Sequence, residues 1–176
     1  MKKAEIVLTF ICLTYAANVS GVMATEAQET REQAVAGMRK TGAKEMDSSL
    51  TQAAPFAQKL VDEALKRHPD VLLLAIHAGA PKYDIIASNF GRIGKLGDED
   101  DLRCIKTGKD NLEVNGHHYE VETALHNQSG KIIGALGVVF RYKEGDDKAS
   151  LQKIAAEIQK EMQAQIADEA RLLGPA

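Results

Sequence analysis

The sequence predicts an α+β domain: an antiparallel five-stranded sheet with a long helix before it and another helix after it. Three observations carry this prediction. Residues 117–126 alternate, with Tyr119, Val121, Thr123 and Leu125 on one face and His118, Glu120, Glu122 and His126 on the other, the period of two of a strand with one dry face. Asn127, Gln128, Ser129 and Gly130 then supply a tight turn into 132–142, a run apolar on both faces that reads as a central, covered strand. Finally, apolar residues at helical spacing flank the strand region: Ala57, Leu60, Val61, Ala64 and Leu65 before it, and Leu151, Ile154, Ile158, Met162, Ile166 and Ala170 after it.

The chain opens on a targeting segment. Lys2 and Lys3 form a short basic start, residues 6–17 are apolar, and Val22, Met23 and Ala24 offer a signal peptidase small or medium side chains. A cleaved signal peptide is expected over residues 1–24. The alternative is a retained anchor, which Asn18, Ser20 and Gly21 oppose by stopping the apolar run short of the ~20 residues of a span. Residues 25–47 are polar and interrupted by Gly37 and Gly42, a lead that is either helical or flexible. The helix over 48–68 has Pro55 in its first turn and is stopped by Pro69.

Strands are expected over 71–77 and 83–89, joined by a hairpin loop at 78–82 that contains Gly79 and Pro81. A glycine-punctuated loop follows, and Asp98 caps a short helix that runs to Lys106 with Glu99, Asp100 and Asp101 at its positive end. A short strand at 112–114 turns through Asn115 and Gly116 into the central hairpin. After an acidic turn at 144–147, one helix is expected from Lys148 to Leu173, ended by Gly174 and Pro175. The domain proper is thus 48–147, and 148–176 is a C-terminal amphipathic helix.

The 176 residues carry a formal net charge of −3 and only 5% aromatics, which excludes both a basic footprint and a stacking platform for nucleic acid. Cys12 lies in the targeting segment without the small preceding residue that lipidation needs. Cys104 then stands alone, so no internal disulfide, cysteine zinc site or covalent haem attachment is available. Cys104 reads as a buried small hydrophobe, with a reactive thiol as the alternative.

Candidate chemistry is sparse. Gly91-Arg92-Ile93-Gly94-Lys95-Leu96-Gly97 either gathers backbone N–H groups and two cations around an anion or is a solvated loop offsetting the acidic helix start. His118, Glu120, Glu122 and His126 suit a divalent metal in type, but same-face residues on one strand lie nearly 7 Å apart, so the face reads as a solvent-facing polar edge. His77, ending an apolar strand, is a hydrogen-bonded histidine or a haem ligand. Arg141 either pairs across the hairpin with Glu120 or Glu122 or holds a carboxylate. The acid runs 98–101 and 146–147 read as solvated. Ser88, Thr123 and Ser129 lack a nucleophile context, and no enzyme is predicted.

The hairpin of 71–77 and 83–89, Asp98-Glu99-Asp100-Asp101-Leu102, Glu113-Val114-Asn115 and the 119–142 hairpin ending in Gly137-Val138-Val139-Phe140 give a pattern that resembles the PAS-like single Cache domains of bacterial extracytoplasmic sensors, above all their small stand-alone periplasmic members. The resemblance covers residues 48–143. It implies a ligand between the sheet and the loops leading into it. The expected site is Arg92, Lys95 and Arg141, pairing with the acid of a small carboxylate or amino acid, with Tyr83 and Tyr119 closing the apolar wall. The implied function is non-catalytic and cofactor-free: a periplasmic or secreted sensing domain that passes its signal to another protein. The alternative is a ligand-free interaction module whose C-terminal helix forms a homodimer or docks on a membrane receptor. A metal- or haem-dependent protein is the third reading.

Overall fold

The computed structural model describes residues 28–42 and 45–176. The expected signal peptide lies outside these residues, and no helix among them is long and apolar enough to cross a membrane. Two helices, α1 (Arg31–Lys40) and α2 (Pro55–Arg67), precede the hairpin of β1 (Val71–Ala78) and β2 (Asp84–Ser88). Helix α3 (Glu99–Thr107) leads into β3 (Asn111–Asn115), β4 (His118–His126) and β5 (Ile132–Arg141). Helices α4 (Lys148–Gln163) and α5 (Glu169–Leu173) close the chain. The five strands form one antiparallel sheet in the order β2-β1-β5-β4-β3. This is the predicted α+β arrangement, with β5 central as its two-faced apolar sequence requires.

The sheet is covered on both faces. Phe56, Leu60, Val61 and Ala64 of α2, Ala155, Ile158 and Met162 of α4, and Leu172 of α5 meet Leu74, Ile76, Tyr119, Val121, Leu125, Leu136, Val138 and Phe140 in the larger core. A smaller cluster on the opposite face joins Ala34 of α1 to Leu73, Ala75, Ile85, Phe90 and Val139. The polar lead therefore contains a docked helix. Arg31 anchors α1 by donating to the carbonyls of Val71 at 2.8 Å and His68 at 3.1 Å, and Thr30 with Gln33 forms a capping box at its start.

Two helix predictions are corrected. The helix expected from residue 48 begins at Pro55, because the preceding residues are tied elsewhere. Met46 bridges to Lys95, the Asp47 N–H donates to Gly94 O at 2.6 Å, and the Ala54 N–H donates to Ile86 O at 2.9 Å. The single C-terminal helix is two, because the chain turns after Gln163 and Asp168 caps α5 by accepting from the Arg171 N–H. Ile166 is fully buried in that turn, and its carbonyl accepts from Gln128 N–H at 2.8 Å. Ile158, Met162 and Ile166 thus belong to the chain's own core, which removes most of the apolar stripe on which dimerisation or receptor docking through a C-terminal helix was expected.

The β4–β5 turn is organised by one side chain. Asn127 is buried, and its Oδ1 accepts from Ser129 N–H at 3.1 Å, Ser129 Oγ–H at 2.7 Å and Lys131 N–H at 2.9 Å. An aspartate would keep these acceptors, whereas alanine leaves buried donors unmatched. Asn127→Ala is expected to cost roughly 1–3 kcal/mol in urea unfolding, and Asn127→Asp much less. Equal stability of the two variants would remove this role.

Candidate functional site

The face of the sheet opposite α2 and α4 is roofed by α1, α3 and the loop between β2 and α3, and the roof leaves a cavity of about 290 Å³. One end is apolar: Leu73 and Ala75 of β1, Ile85 of β2, Val139 of β5, Phe90 of the loop and Met38 of α1. The other end is charged: Glu113 of β3, Glu120 and Glu122 of β4, and Asp100 and Asp101 of α3, with Asp98, Lys95, Arg92 and His77 beside them. Gly137 keeps the floor open where β5 passes Glu120. A Cβ there would meet Glu120 Oε1 at 3.6 Å.

The polar face of β4 is not the solvent-facing edge that its sequence suggests. β4 lies between β3 and β5, and α3 packs across it. Glu122 is only 6% exposed and Asp101 3%. Burial first, and then the neighbouring Asp101 carboxyl, push the Glu122 pKa far above the usual carboxylate range. Burial first, and then the Glu113 and Asp101 charges, push Glu120 up to about 6, although Lys95 acts the other way. His77 Nδ1 lies 3.3 Å from Asp101 Oδ2. Burial nevertheless lowers the His77 pKa, outweighing the attraction of Asp101, so the ring is neutral at pH 7. His77 is therefore a hydrogen-bonded strand histidine. Among the described residues, no group of three or more His, Cys, Asp or Glu side chains is arranged to hold a metal ion.

The glycine loop is built for close packing, not for an anion. The N–H groups of Gly94, Lys95, Leu96 and Gly97 donate to the carbonyls of Ile85, Arg92, Glu45 and Lys82. A Cβ on Gly94, whose φ is +88°, would lie 2.7 Å from Asp47 O and 2.8 Å from Leu50 O. The glycines thus let two stretches of backbone meet. Arg92 is also held: its guanidinium donates to Met38 O at 2.9 Å and to the carbonyl and hydroxyl of Thr41, which fixes the end of α1.

Of the residues expected to form the site, the structure brings Arg92 and Lys95 to the cavity. Tyr119 lies on the far side of the sheet, where its hydroxyl accepts from Gln152 Nε2 at 2.7 Å. The alternation that separates Tyr119 from Glu120 places it in the α4 core, and it does not line the cavity. Tyr83 precedes β2, takes a left-handed φ of 50° and is not part of the lining. Arg141 shares the cavity's face of the sheet but sits beyond it, opposite His118 and bonded to Gln28 Oε1 at 2.8 Å. It reaches neither Glu120 nor Glu122. Sequence reasoning missed Asp101, Glu113, Glu120 and Glu122 as cavity residues. One signal was present: Asp101 and Cys104 are three apart on α3, so they share a face. Cys104 is buried, and burial with the nearby Glu122 charge pushes its thiol up to about 12, which makes it an inert packing residue.

An antiparallel five-stranded sheet with a ligand-sized cavity between one face and its helical roof defines a PAS-like or GAF-like α+β domain. No protein-family model matches the sequence, and no curated protein does. Among solved structures, a GAF domain from A. aeolicus in an inactive state is similar at 13% identity, with a TM-score of 0.50, over 76% of this chain and 93% of that one. A GAF sensor protein from Burkholderia vietnamiensis is similar at 13% identity and TM-score 0.45, over 82% and 97% of the two chains. The A. aeolicus likeness supports the fold alone, a five-stranded α+β arrangement like that of GAF and PAS domains.

Proposed function

We propose that this chain is a non-catalytic sensory domain that binds a small molecule between its sheet and the α1–α3 roof. The cavity carries the reading, because it is ligand-sized and joins an apolar wall to a few converging polar groups. It also lies where two helical covers meet. α1 is held by Arg31 and Arg92, and α3 is held by its capping box and Asp101, so occupancy can alter how either helix seats on the sheet. The GAF likeness agrees with such a use, and the stand-alone Cache type read from the sequence is a finer form of it. We place the domain in the periplasm or outside the cell on the strength of residues 1–24, and its signal passes to a partner protein such as a membrane receptor. Cell fractionation tests the location: protein retained in the cytoplasm at full length would contradict it.

Native mass spectrometry of the purified protein, set beside its denatured mass, tests the binding. A discrete small mass lost on denaturation is expected. An apo mass throughout, with no shift in Tm across a library of metabolite-sized acids, amines and neutral compounds, would leave the cavity without a ligand role.

A further inference from the structure

We propose that the cavity is built for a small organic cation, a protonated primary amine, whose ammonium group is received by Glu120, Glu122 and Glu113 while its carbon chain lies along Leu73 and Val139. The inference rests on the ligand-binding reading above and names the ligand class of that site.

The cations in the lining are held mainly by other groups, with only the buried Arg92 Nε–H left without a partner among the described residues. Lys95 Nζ lies 3.0 Å from Asp98 Oδ2, and the Arg92 guanidinium is held by Met38 and Thr41. His77 faces Asp101 and is neutral near pH 7. On the acid side, Asp98 is paired with Lys95, and Asp100 with Arg103 Nη2 at 2.7 Å. Glu113, Glu120 and Glu122 remain, and among the described residues none of them has a salt-bridge partner or a side-chain hydrogen-bond donor. Glu122 is the decisive one. It is nine-tenths buried, it lines the cavity, and the Asp101 carboxyl on α3 lines the same cavity beside it. A buried carboxyl beside a carboxyl is a costly arrangement that a cation in the cavity relieves.

Size and shape narrow the class. At the ~30 Å³ that a water takes in the liquid, the cavity has room for roughly ten non-hydrogen atoms. The absence of a metal-holding group among the described residues disfavours a bare divalent ion. The apolar end, with Phe90 in its wall, suits a short alkyl chain. An acid ligand, by contrast, would find Lys95 paired with Asp98 and Arg92 Nη2 bonded to the end of α1, with the buried, unpartnered Arg92 Nε–H as the donor left to it.

The test is calorimetric titration of the purified chain with butylamine, putrescine, butyrate and succinate at pH 7.5. The amines are expected to bind and the acids to be silent. Glu120→Gln and Glu113→Gln, at residues more exposed as a whole than Glu122, are each expected to weaken amine binding about tenfold, as does loss of a charge-assisted hydrogen bond. Circular dichroism confirms that each variant is folded. Binding of the acids in place of the amines would overturn the cation assignment and leave the sensory reading standing. Amine binding that both variants retain at full strength would place it elsewhere on the molecule and overturn the site. Silence with all four probes, together with an apo native mass, would remove both readings.

Discussion

Replacing Gly134 with alanine is expected to be the most damaging small substitution in this chain. Gly134 pairs with Ala78 of β1 and Leu125 of β4, and a Cβ there would sit 2.1 Å from the carbonyl oxygen of His77. That neighbour is backbone, so no rotamer change relieves the contact. β1 must move away from β5, which breaks the ladder at the sheet's centre and shifts His77 from Asp101. Overpacking of a well-packed site ordinarily costs ~1–3 kcal/mol, and a backbone clash in a central pair belongs at or above the top of that range. For a chain of this size, ~3 kcal/mol corresponds to a fall in Tm of roughly 6–12 °C. Gly137→Ala is the control: its Cβ meets only Glu120 Oε1 at an ordinary 3.6 Å, and Tm should hold within a few degrees. Similar Tm values for the two variants would contradict the close β1–β5 approach.

The contribution of Glu120 and Glu122 to stability should rise, not fall, as the pH drops from about 7.5 to about 5. Glu120 has its native pKa pushed up to about 6 from an ordinary 4.5, and Glu122 is raised further by burial and by Asp101. Folding therefore takes up protons at these groups. Their contribution is fully present below the unfolded pKa of 4.5 and is lost as the pH rises through the native values. For Glu120 alone the shift corresponds to ~2 kcal/mol, with most of the change between pH 4.5 and 6. Glu122 extends the decline to higher pH. The carboxylates of Asp47 and Asp98 are lowered, Asp47 mainly by Lys82 and Asp98 by Lys95 against the effect of burial, so they act oppositely in more acid solution. His77, whose pKa burial lowers from its ordinary 6.5, acts oppositely within the range itself, so the carboxyl pair is read as a difference between variants. Thermal unfolding across this range should show it in the comparison with the Glu120→Gln, Glu122→Gln double variant, which should be the more stable protein at pH 7.5 and lose that advantage as the pH falls to 5. A Tm difference between the two proteins that does not change with pH would contradict the buried acid pair.

The legible parts of this fold were the ones that local physics dictates. Alternation set β4, an unbroken apolar run set β5, and a turn chemistry of Asn127 and Gly130 joined them in register. Asp98 announced the start of α3 by its capping chemistry. The helix ends were less legible. The periodicity of 48–68 and 148–173 continued past the points where backbone contacts to β2, to the glycine loop and to the β4–β5 turn pull the chain out of a helix.

The site was hardly legible, for a physical reason that Glu120 and Tyr119 make plain. A period of two states that these neighbours face opposite sides of a sheet. It does not state which side is roofed by what. The acidic face looked like the wet one because carboxylates are usually hydrated, and the aromatic face looked like a ligand wall. Here the aromatic face is packed on α4, and α1 and α3 close over the carboxylates. Likewise, Arg92 and Lys95 read as free cations in a glycine loop, and their partners, the end of α1 and the cap of α3, exist only once distant segments meet. The sequence by itself determined the element types and the strand hairpins, because these depend on residues within a few positions of each other. Only the tertiary structure decided that Asp101, Glu113, Glu120 and Glu122 surround one cavity, because burial and charge pairing are properties of segments brought together from across the chain.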